Sequence, residues 1–427
     1  MIFQKKIKAE YLIIFFAFLS YLIAFYFKEY SPSGSKEDFY GFVFRNIQIF
    51  KNDFFYALKN YGKLGDANYP FFYIFHAYFN PLSSSPASYL FSTFVIGLLT
   101  FAVFFLCFKN LKFTNLNALL LSSLILYLPW FSGRAYWGTA SNLAWFFFVS
   151  SIYYFIKISQ EKKIINNLNL YSLLFCITSS ITLYVKPIFI FFPIFYLLNN
   201  FYEKYSFKTQ LLNVFFYIFL AIPGIFLIIF WGGIYDHSNS NVVQEYHTFK
   251  NIFKNSIIIS TYFFFYLWPI FLIYFFKTES SVVFKEFILR AIYCLLFLIF
   301  LSFLNLLDYL NYYTYGGGFF VKLSYLFNDK NNFLVLLAAS LGFSFLFIII
   351  KDNIKKNLSL LLLTFFFFGF PKNLFQDYFE PLILFLFFLK ILDTRLFDII
   401  RKKTLSVSII YSLFFASYHF LLIVIRN

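Results

Sequence analysis

The sequence predicts an all-α polytopic membrane protein with about thirteen transmembrane helices. Of its 427 residues, 61% are hydrophobic and only 13% are charged, whereas a soluble domain is about 45–50% apolar and about 25% charged. Unbroken apolar stretches close to the ~20 residues that cross a bilayer as a helix recur along the whole chain. They lack the polar and apolar alternation of membrane β-barrel strands. Residues 1–427 are therefore expected to form a single integral membrane domain, without a soluble domain of useful size.

The predicted spans follow directly from these apolar stretches. They are 11–27, 88–108, 114–131, 142–156, 170–185, 187–199, 211–231, 255–276, 287–306, 332–350, 357–370, 381–392 and 404–425. With a cytoplasmic N-terminus, the cytoplasmic loops hold a clear excess of Lys and Arg over Asp and Glu, whereas the outer loops are nearly balanced. Loops rich in Lys and Arg stay on the cytoplasmic side, so this orientation is predicted. The two short segments that meet at Lys186-Pro187 could also be one broken helix or a re-entrant hairpin. They are kept as separate spans, because merging them weakens the charge asymmetry.

Charge and composition also bear on the class of function. The net charge of +16 is explained by the loop asymmetry, so no nucleic-acid partner is expected. Three cysteines, Cys107, Cys176 and Cys294, lie in apolar runs without CxxC or Cys/His pairing, which argues against a zinc or disulfide framework. Secondary transporters commonly have internal repeats and polar groups at the midplane. This chain has no convincing repeat and few ionisable residues inside its spans, so its polar chemistry is expected in the outer loops.

The largest polar segment is the first outer loop, 28–87, which is predicted to contain two interfacial helices. Apolar residues recur at helical spacing between Glu37 and Tyr61, which favours an amphipathic helix lying in the outer interface. Pro70 favours an extended residue before it and the start of a second helix just after it. The apolar face of the first helix consists of Phe39, Val43, Ile47, Phe50, Phe54, Leu58 and Tyr61.

Acidic residues stand near the start of both helices of this loop. Glu37 and Asp38 open the first helix, about one turn beyond the membrane exit, and Asp66 lies just before the second. Acids at these positions often only cap exposed N–H groups and complement the helix dipole. A carboxylate above a cavity between spans is also a suitable general base, and both interpretations stay open. Asp53 is interpreted as an ordinary solvated residue.

Several motifs together resemble the GT-C superfamily of polyprenyl-phosphate-sugar-dependent glycosyltransferases. Glu37-Asp38-Phe39-Tyr40 is similar to the acidic motif that follows the first span in that family. Asn68-Tyr69-Pro70 resembles the proline motif that opens its second short helix. The remaining similarities are Pro129-Trp130-Phe131-Ser132-Gly133-Arg134 at the end of the third span, Thr182-Leu183-Tyr184-Val185-Lys186-Pro187 at a membrane edge, and Gln376-Asp377-Tyr378-Phe379-Glu380-Pro381.

The resemblance implies sugar transfer from a polyprenyl-phosphate donor to a glycan, lipid or protein acceptor on the outer face of a bilayer. Asp38 or Glu37 is the expected general base, with Asp66 as a second acid. Cations stabilise a departing phosphate in a partly desolvated site. The candidates for that role are Lys186, Arg134 and Arg45, the last because it stands seven residues after Asp38, on nearly the same helical face. Expected contacts with the acceptor or donor are Tyr40, Tyr69 and Tyr378.

Further expectations concern cofactors, location and competing functions. No cofactor is predicted and a divalent metal stays open, although the loop residues His76, His237 and His247 are weak support for one. Loop 307–331, which contains Tyr312-Tyr313-Thr314-Tyr315 and three glycines, is expected to be flexible, either stacking on sugar rings or lying in an aromatic belt. The membrane is expected to be a bacterial inner membrane. Two competing hypotheses are an O-antigen polymerase or ligase-like enzyme, and a lipid-linked oligosaccharide flippase or other transporter.

Overall fold

A computed structural model describes residues 9–28, 34–64, 69–161, 168–232, 250–277, 281–304, 306–307, 316–329, 332–372 and 374–426. Helices make up 86% of the structure, and the residues that it describes contain no strand. The predicted all-α fold class is therefore confirmed.

The described residues of the first half of the chain contain twelve α-helices. They are α1 (Ala9–Phe27), α2 (Ser35–Asp38), α3 (Phe44–Asn52), α4 (Phe54–Lys59), α5 (Phe71–Tyr78), α6 (Pro86–Asn110), α7 (Asn115–Ser123), α8 (Pro129–Tyr136), α9 (Ala140–Glu161), α10 (Leu168–Val185), α11 (Phe191–Tyr202) and α12 (Phe207–Trp231). The second half contains α13 (Lys250–Lys277), α14 (Ser281–Phe303), α15 (Gly318–Leu326), α16 (Phe333–Asp352), α17 (Ile354–Gly369), α18 (Glu380–Phe388), α19 (Leu396–Lys402) and α20 (Thr404–Arg426).

Seven of these helices are long and apolar enough to cross a membrane, which is the pattern of an integral membrane protein. They are α1, α6, α12, α13, α14, α16 and α20. An eighth candidate is the helix 115–127 taken together with α8, although the two are bent by 72° relative to each other. The other predicted spans lie on helices that are shorter or less apolar, such as α10, α17 and α18.

The first loop folds as helices, but the long helix expected between Glu37 and Tyr61 is divided. A π-helical turn, Phe39–Val43, follows α2, and the backbone becomes extended at Asp53. The Asp53 side chain accepts a hydrogen bond from Tyr56 N at 2.9 Å and so caps α4. Asp53 is exposed, as the sequence predicted, and its capping bond is an additional structural role, because Asp before an apolar turn is a common N-cap. The predicted apolar face is nevertheless buried, apart from the half-buried Phe54.

The second helix of the loop begins where it was predicted, directly after Pro70, and packs on the first. The rings of Phe50 and Tyr73 stack with centroids 6.0 Å apart. The Tyr78 hydroxyl donates to Phe50 O at 2.7 Å. These contacts hold the helix pair of the loop together as one unit.

The chain reverses direction at Lys186, between α10 and α11. In a straight helix Phe175 and Tyr196 would be about 30 Å apart, yet their ring centroids are 4.0 Å apart. The Tyr196 hydroxyl also bonds to Ser172 Oγ at 3.2 Å. Pro187 explains the reversal, since the residue before a proline avoids the helical region, and Lys186 has φ −141° and ψ 105°. The two segments therefore form a helical hairpin, with Lys186 at its tip.

Helix α18 lies in the middle of the bundle. Every residue from Glu380 to Phe388 is buried, although the helix has only nine residues. Phe385 contacts Phe104 of α6 and Trp145 of α9, while Phe388 contacts Tyr411 of α20. The N-terminus of this central helix, at Glu380, faces the polar cluster described next.

Candidate functional site

Three charged side chains from distant parts of the sequence meet at one end of the bundle. Arg134 Nη2 lies 2.8 Å from Asp377 Oδ2, and Arg134 Nη1 lies 3.6 Å from Asp38 Oδ2. The Asp377 side chain is fully buried and that of Arg134 is 9% exposed, whereas the Asp38 side chain is 36% exposed. The guanidinium therefore bridges a buried carboxylate and one that is open to solvent. We call Arg134, Asp38 and Asp377 the Arg134 cluster.

The position of Arg134 depends on the short helix α8. Leu128 is extended (φ −71°, ψ 118°) because it precedes Pro129, and this break produces the 72° bend after Tyr127. Helix α8 then runs across the end of the bundle, with Arg134 in its last turn. The Nε atom of Arg134 is buried and has no hydrogen-bond acceptor among the described residues. This buried donor is thus left unsatisfied within the cluster.

A buried carboxylate from the centre of the bundle fixes the start of α8. Glu380 Oε1 accepts hydrogen bonds from Trp130 N at 2.8 Å and from Phe131 N at 3.3 Å. These are two of the N–H groups that a helix N-terminus leaves without partners. Glu380 is also the first residue of α18, so its carboxyl group lies at two helix N-termini. Glu380 therefore positions the helix that carries Arg134.

A hydrogen-bond network extends from Glu380 to the loop before α15. Tyr266 OH donates to Glu380 Oε2 at 3.1 Å and accepts from Gln376 Nε2 at 2.8 Å. Gln376 Oε1 in turn accepts from Phe319 N at 2.8 Å. Gly318 has φ +75°, and a Cβ there would collide with the Tyr262 ring and the Gln376 amide. Glycine is needed at this position because the backbone lies directly against Tyr262 and Gln376 and leaves no room for a side chain.

Lys186 and Tyr378, both predicted site residues, are in contact. Lys186 Nζ lies 4.4 Å from the centroid of the Tyr378 ring, a cation–π distance. Because Tyr378 directly follows Asp377, the tip of the α10–α11 hairpin reaches the Arg134 cluster. Tyr69 lies nearby: its ring stacks on Trp231 with centroids 6.5 Å apart and contacts the edge of Tyr184 at 6.4 Å.

A third cation was not predicted. Lys322 lies on α15, a helix at 318–326 within the loop 307–331, in which no helix was predicted. Lys322 Nζ is 5.8 Å from the centroid of the Trp130 ring. The sequence feature that could have indicated this cation is a lysine that stands alone among apolar residues, in Phe319-Phe320-Val321-Lys322-Leu323. The residues Tyr312 to Tyr315 lie outside the described part of the chain.

The remaining acidic-motif residues surround the cluster or point away from it. Phe39 is buried against Tyr89 and Trp137, with ring centroids 5.9 and 6.2 Å away, which docks the motif on the end of α8. Tyr40 is 67% exposed and meets the Trp137 ring at 6.0 Å, so it lies at the rim. Glu37 is exposed. Asp66 lies outside the described residues.

Arg45 is directed toward the end of the loop. Its Nη2 donates to Leu64 O at 3.2 Å and its Nε to Asn46 Oδ1 at 3.4 Å. The expectation that it shares a face with Asp38 assumed a regular α-helix. The intervening π-turn, with its wider i→i+5 bonding, changes that angular relation, and Asp38 pairs with Arg134 instead.

His76 is a residue of the loop core. Asn80 Nδ2 donates to His76 Nδ1 at 3.0 Å, and the ring packs on Phe72 and Tyr89. Burial lowers the pKa of His76 to about 3, so the ring is neutral at physiological pH. Among the described residues, no three His, Cys, Asp or Glu side chains are grouped as metal ligands would be. His237 and His247 lie outside those residues.

Comparisons with known proteins identify no relative of this chain. No protein-family model, no curated protein and no solved structure matches it. The geometry of the Arg134 cluster, together with the motifs that surround it, is therefore the ground for a functional proposal.

Proposed function

We propose that the chain is a GT-C-type integral membrane glycosyltransferase with thirteen spans, a cytoplasmic N-terminus and an outward-facing site, in a bacterial inner membrane. It transfers a sugar from a polyprenyl-phosphate donor to an acceptor on the outer face. One observation carries this proposal: Arg134 joins Asp38 of the first loop to Asp377 of a distant turn. An accessible carboxylate beside a buried cation is what this reaction requires.

The reaction begins at the acceptor. A hydroxyl group of the acceptor loses its proton to Asp38 while its oxygen attacks the anomeric carbon of the donor sugar. The bond between that carbon and the phosphate oxygen breaks, and the electron pair leaves with the polyprenyl phosphate. Asp38 suits the role because its carboxylate is partly exposed, whereas that of Asp377 is fully buried.

The same step alters the charge around Arg134. When Asp38 takes up a proton it no longer attracts the guanidinium, whose Nη1 is only loosely paired with it at 3.6 Å. Among the described residues, Asp377 is then the carboxylate that still pairs with Arg134, just as the phosphate becomes more negative. Its buried Nε is a further donor for the phosphate. Lys186, above the Tyr378 ring, adds positive charge on the same side.

The orientation of the protein is directly testable. Single cysteines placed in loops 28–87, 232–251 and 307–331 should react with a membrane-impermeant maleimide in intact cells, since these loops are expected outside. A cysteine in loop 157–169 is the matched cytoplasmic control and should react only after lysis. Labelling of the control loop alone in intact cells would reverse the orientation and remove the outward-facing site.

The nature of the donor provides the test of the function itself. The purified protein in vesicles should transfer sugar from a polyprenyl-phosphate-linked donor and should be inactive with the corresponding nucleotide sugar. The reason is that nucleotide sugars are absent on the outer face in the cell, so the proposed site acts on a lipid-linked donor. Radiolabelled sugar in the acceptor fraction is the measurement. Equal transfer from a nucleotide sugar without lipid-linked donor would contradict the proposal.

A further inference from the structure

Two buried polar side chains, four residues apart in the sequence, each hold the N-terminus of a short helix. Glu380 Oε1 accepts from two backbone N–H groups in the first turn of α8. Gln376 Oε1 accepts from Phe319 N, in the first turn of α15. N–H groups in the first turn have no partner within their own helix. Glu380 and Gln376 therefore fix the starts of the two helices that carry Arg134 and Lys322.

The hydroxyl of Tyr266, also fully buried, joins these two side chains. Gln376 Nε2 lies 2.8 Å from Tyr266 OH, which in turn lies 3.1 Å from Glu380 Oε2. The order of donors is fixed from the α15 end, because the Phe319 N–H group can only donate. The Gln376 oxygen must face Phe319, so its amide nitrogen faces Tyr266 and donates to it. The Tyr266 hydroxyl consequently donates to Glu380, which accepts at both of its oxygens.

This order of donors assigns the ionised form to Glu380. Burial raises the pKa of its carboxyl group, which by itself favours the protonated form. A proton on Oε2 would be donated to Tyr266 OH, which already accepts from Gln376. The tyrosine hydrogen would then have no acceptor among the residues that the structure describes, and a buried donor without an acceptor is strongly disfavoured. An ionised Glu380 leaves no such donor.

We propose that Glu380, Tyr266 and Gln376 act as one positioning unit, which sets α8 and α15 relative to each other. Each bond of the unit orients the next, so a change at one end is felt at both helices. The two helices carry Arg134 and Lys322, and Lys322 Nζ lies 5.8 Å from the centroid of the indole ring on α8. The expected effect on transfer rests on the proposed function, whereas the expected effect on structure does not.

Exchanging the two end residues should reverse the direction of the chain and keep it complete. In the Gln376→Glu, Glu380→Gln double variant, the new amide at position 380 donates to Tyr266, whose hydroxyl donates to the new carboxylate at position 376. Oxygens still face the N–H groups of both helices, and the total charge is unchanged. Each single substitution breaks the chain. Glu380→Gln directs two amide donors at the Tyr266 hydroxyl, and Gln376→Glu makes two carboxylates compete for its one hydrogen.

The first readout is structural and does not depend on sugar transfer. Amide hydrogen exchange, followed by mass spectrometry in detergent, should become about tenfold faster in the first turns of both α8 and α15 in each single variant. The double variant should exchange as slowly as the wild type. Tyr411→Phe is the matched control and should also exchange slowly, because it removes a bond of a fully buried tyrosine outside the chain, from its hydroxyl to Tyr266 O at 2.8 Å.

The exchange pattern decides between one unit and simpler arrangements. Wild-type exchange in Glu380→Gln would mean that Glu380 is protonated and would overturn the inference. Faster exchange only in the helix next to the substituted residue would mean two separate caps and would overturn it as well. So would a double variant that exchanges as fast as the single variants. If a single variant does not fold, the yield of folded, monodisperse protein replaces its exchange rate, and the double variant should restore that yield.

The second readout is kinetic and separates the positioning unit from the proposed function. A displaced Arg134 stabilises the leaving phosphate less well, so each single variant should lower kcat about 10²-fold with little change in KM. The double variant should regain kcat together with slow exchange. Slow exchange without recovery of kcat would overturn the positioning role. Absence of transfer in the wild type, with the expected exchange pattern, would reject the proposed function and leave the unit standing.

Discussion

Asp38→Asn should lower sugar transfer by about 10²–10⁴-fold, the usual contribution of a positioned proton acceptor, and should leave the protein folded. The amide is nearly isosteric with the carboxylate, and the 3.6 Å ion pair between Asp38 and Arg134 is lost. For a partly exposed carboxylate such a pair stabilises a protein by about 0–1 kcal/mol. Initial rates of transfer, together with thermal unfolding in detergent, measure the two effects.

Glu37→Gln is the matched control for this prediction. Adjacent residues on a helix point about 100° apart, and in the structure Asp38 faces Arg134 while Glu37 is exposed. Glu37→Gln should therefore retain most of the activity. A large loss in Glu37→Gln alone would transfer the role of base to Glu37. Near-normal transfer by both single variants and by the double variant would leave Asp66 as the candidate and remove the main support for a GT-C-type mechanism.

Local patterns in the sequence predicted much of the helical layout, because they depend on hydrophobic length and on proline. Pro70 and Pro187 each mark a predicted helix start or break. The predicted span 114–131, however, runs past the bend before Pro129, and its continuity there is wrong. The division of the first-loop helix at Asp53 was missed. A helical period over 37–61 predicts which side is buried, but it does not distinguish a continuous helix from segments joined by a cap and a π-turn.

The candidate site was predicted in part. Asp38, Arg134 and Lys186 were chosen from motifs, and the structure brings Asp38 to Arg134 and Lys186 to the turn beside them. The structural parts played by Asp377 and Glu380 were missed, although both lie within the quoted motif around Tyr378. Arg134, the partner of Asp377, and the Trp130 amide, a partner of Glu380, are more than 240 residues away in the chain, and no local period or cap pattern specifies contacts at such separation. Pairing of buried charges becomes visible only once the helices are packed.

The second large effect concerns Arg134, whose charge has a structural and a functional consequence that can be separated. Arg134→Met leaves the fully buried Asp377 carboxylate without its cation, and removing one partner of a buried ion pair typically costs about 3–5 kcal/mol of stability. Adding Asp377→Asn removes the uncompensated charge, so the double variant should recover most of the free energy of unfolding. Transfer by the double variant should nevertheless stay about 10²–10³-fold below wild type, because a cation that stabilises the leaving phosphate is still missing.

Arg290→Met is the control for loss of an arginine ion pair away from the cluster. Arg290 pairs with the exposed Glu286 at 2.7 Å within one helix, so the variant should change stability by less than about 1 kcal/mol and leave transfer unaffected. Thermal unfolding in detergent and single-turnover transfer are measured on the same preparations. If the Arg134→Met, Asp377→Asn double variant regained both stability and transfer, Arg134 would serve only to neutralise Asp377. The phosphate would then have to be stabilised by Lys186 and Lys322, and Lys186→Met should in that case abolish transfer without unfolding the protein.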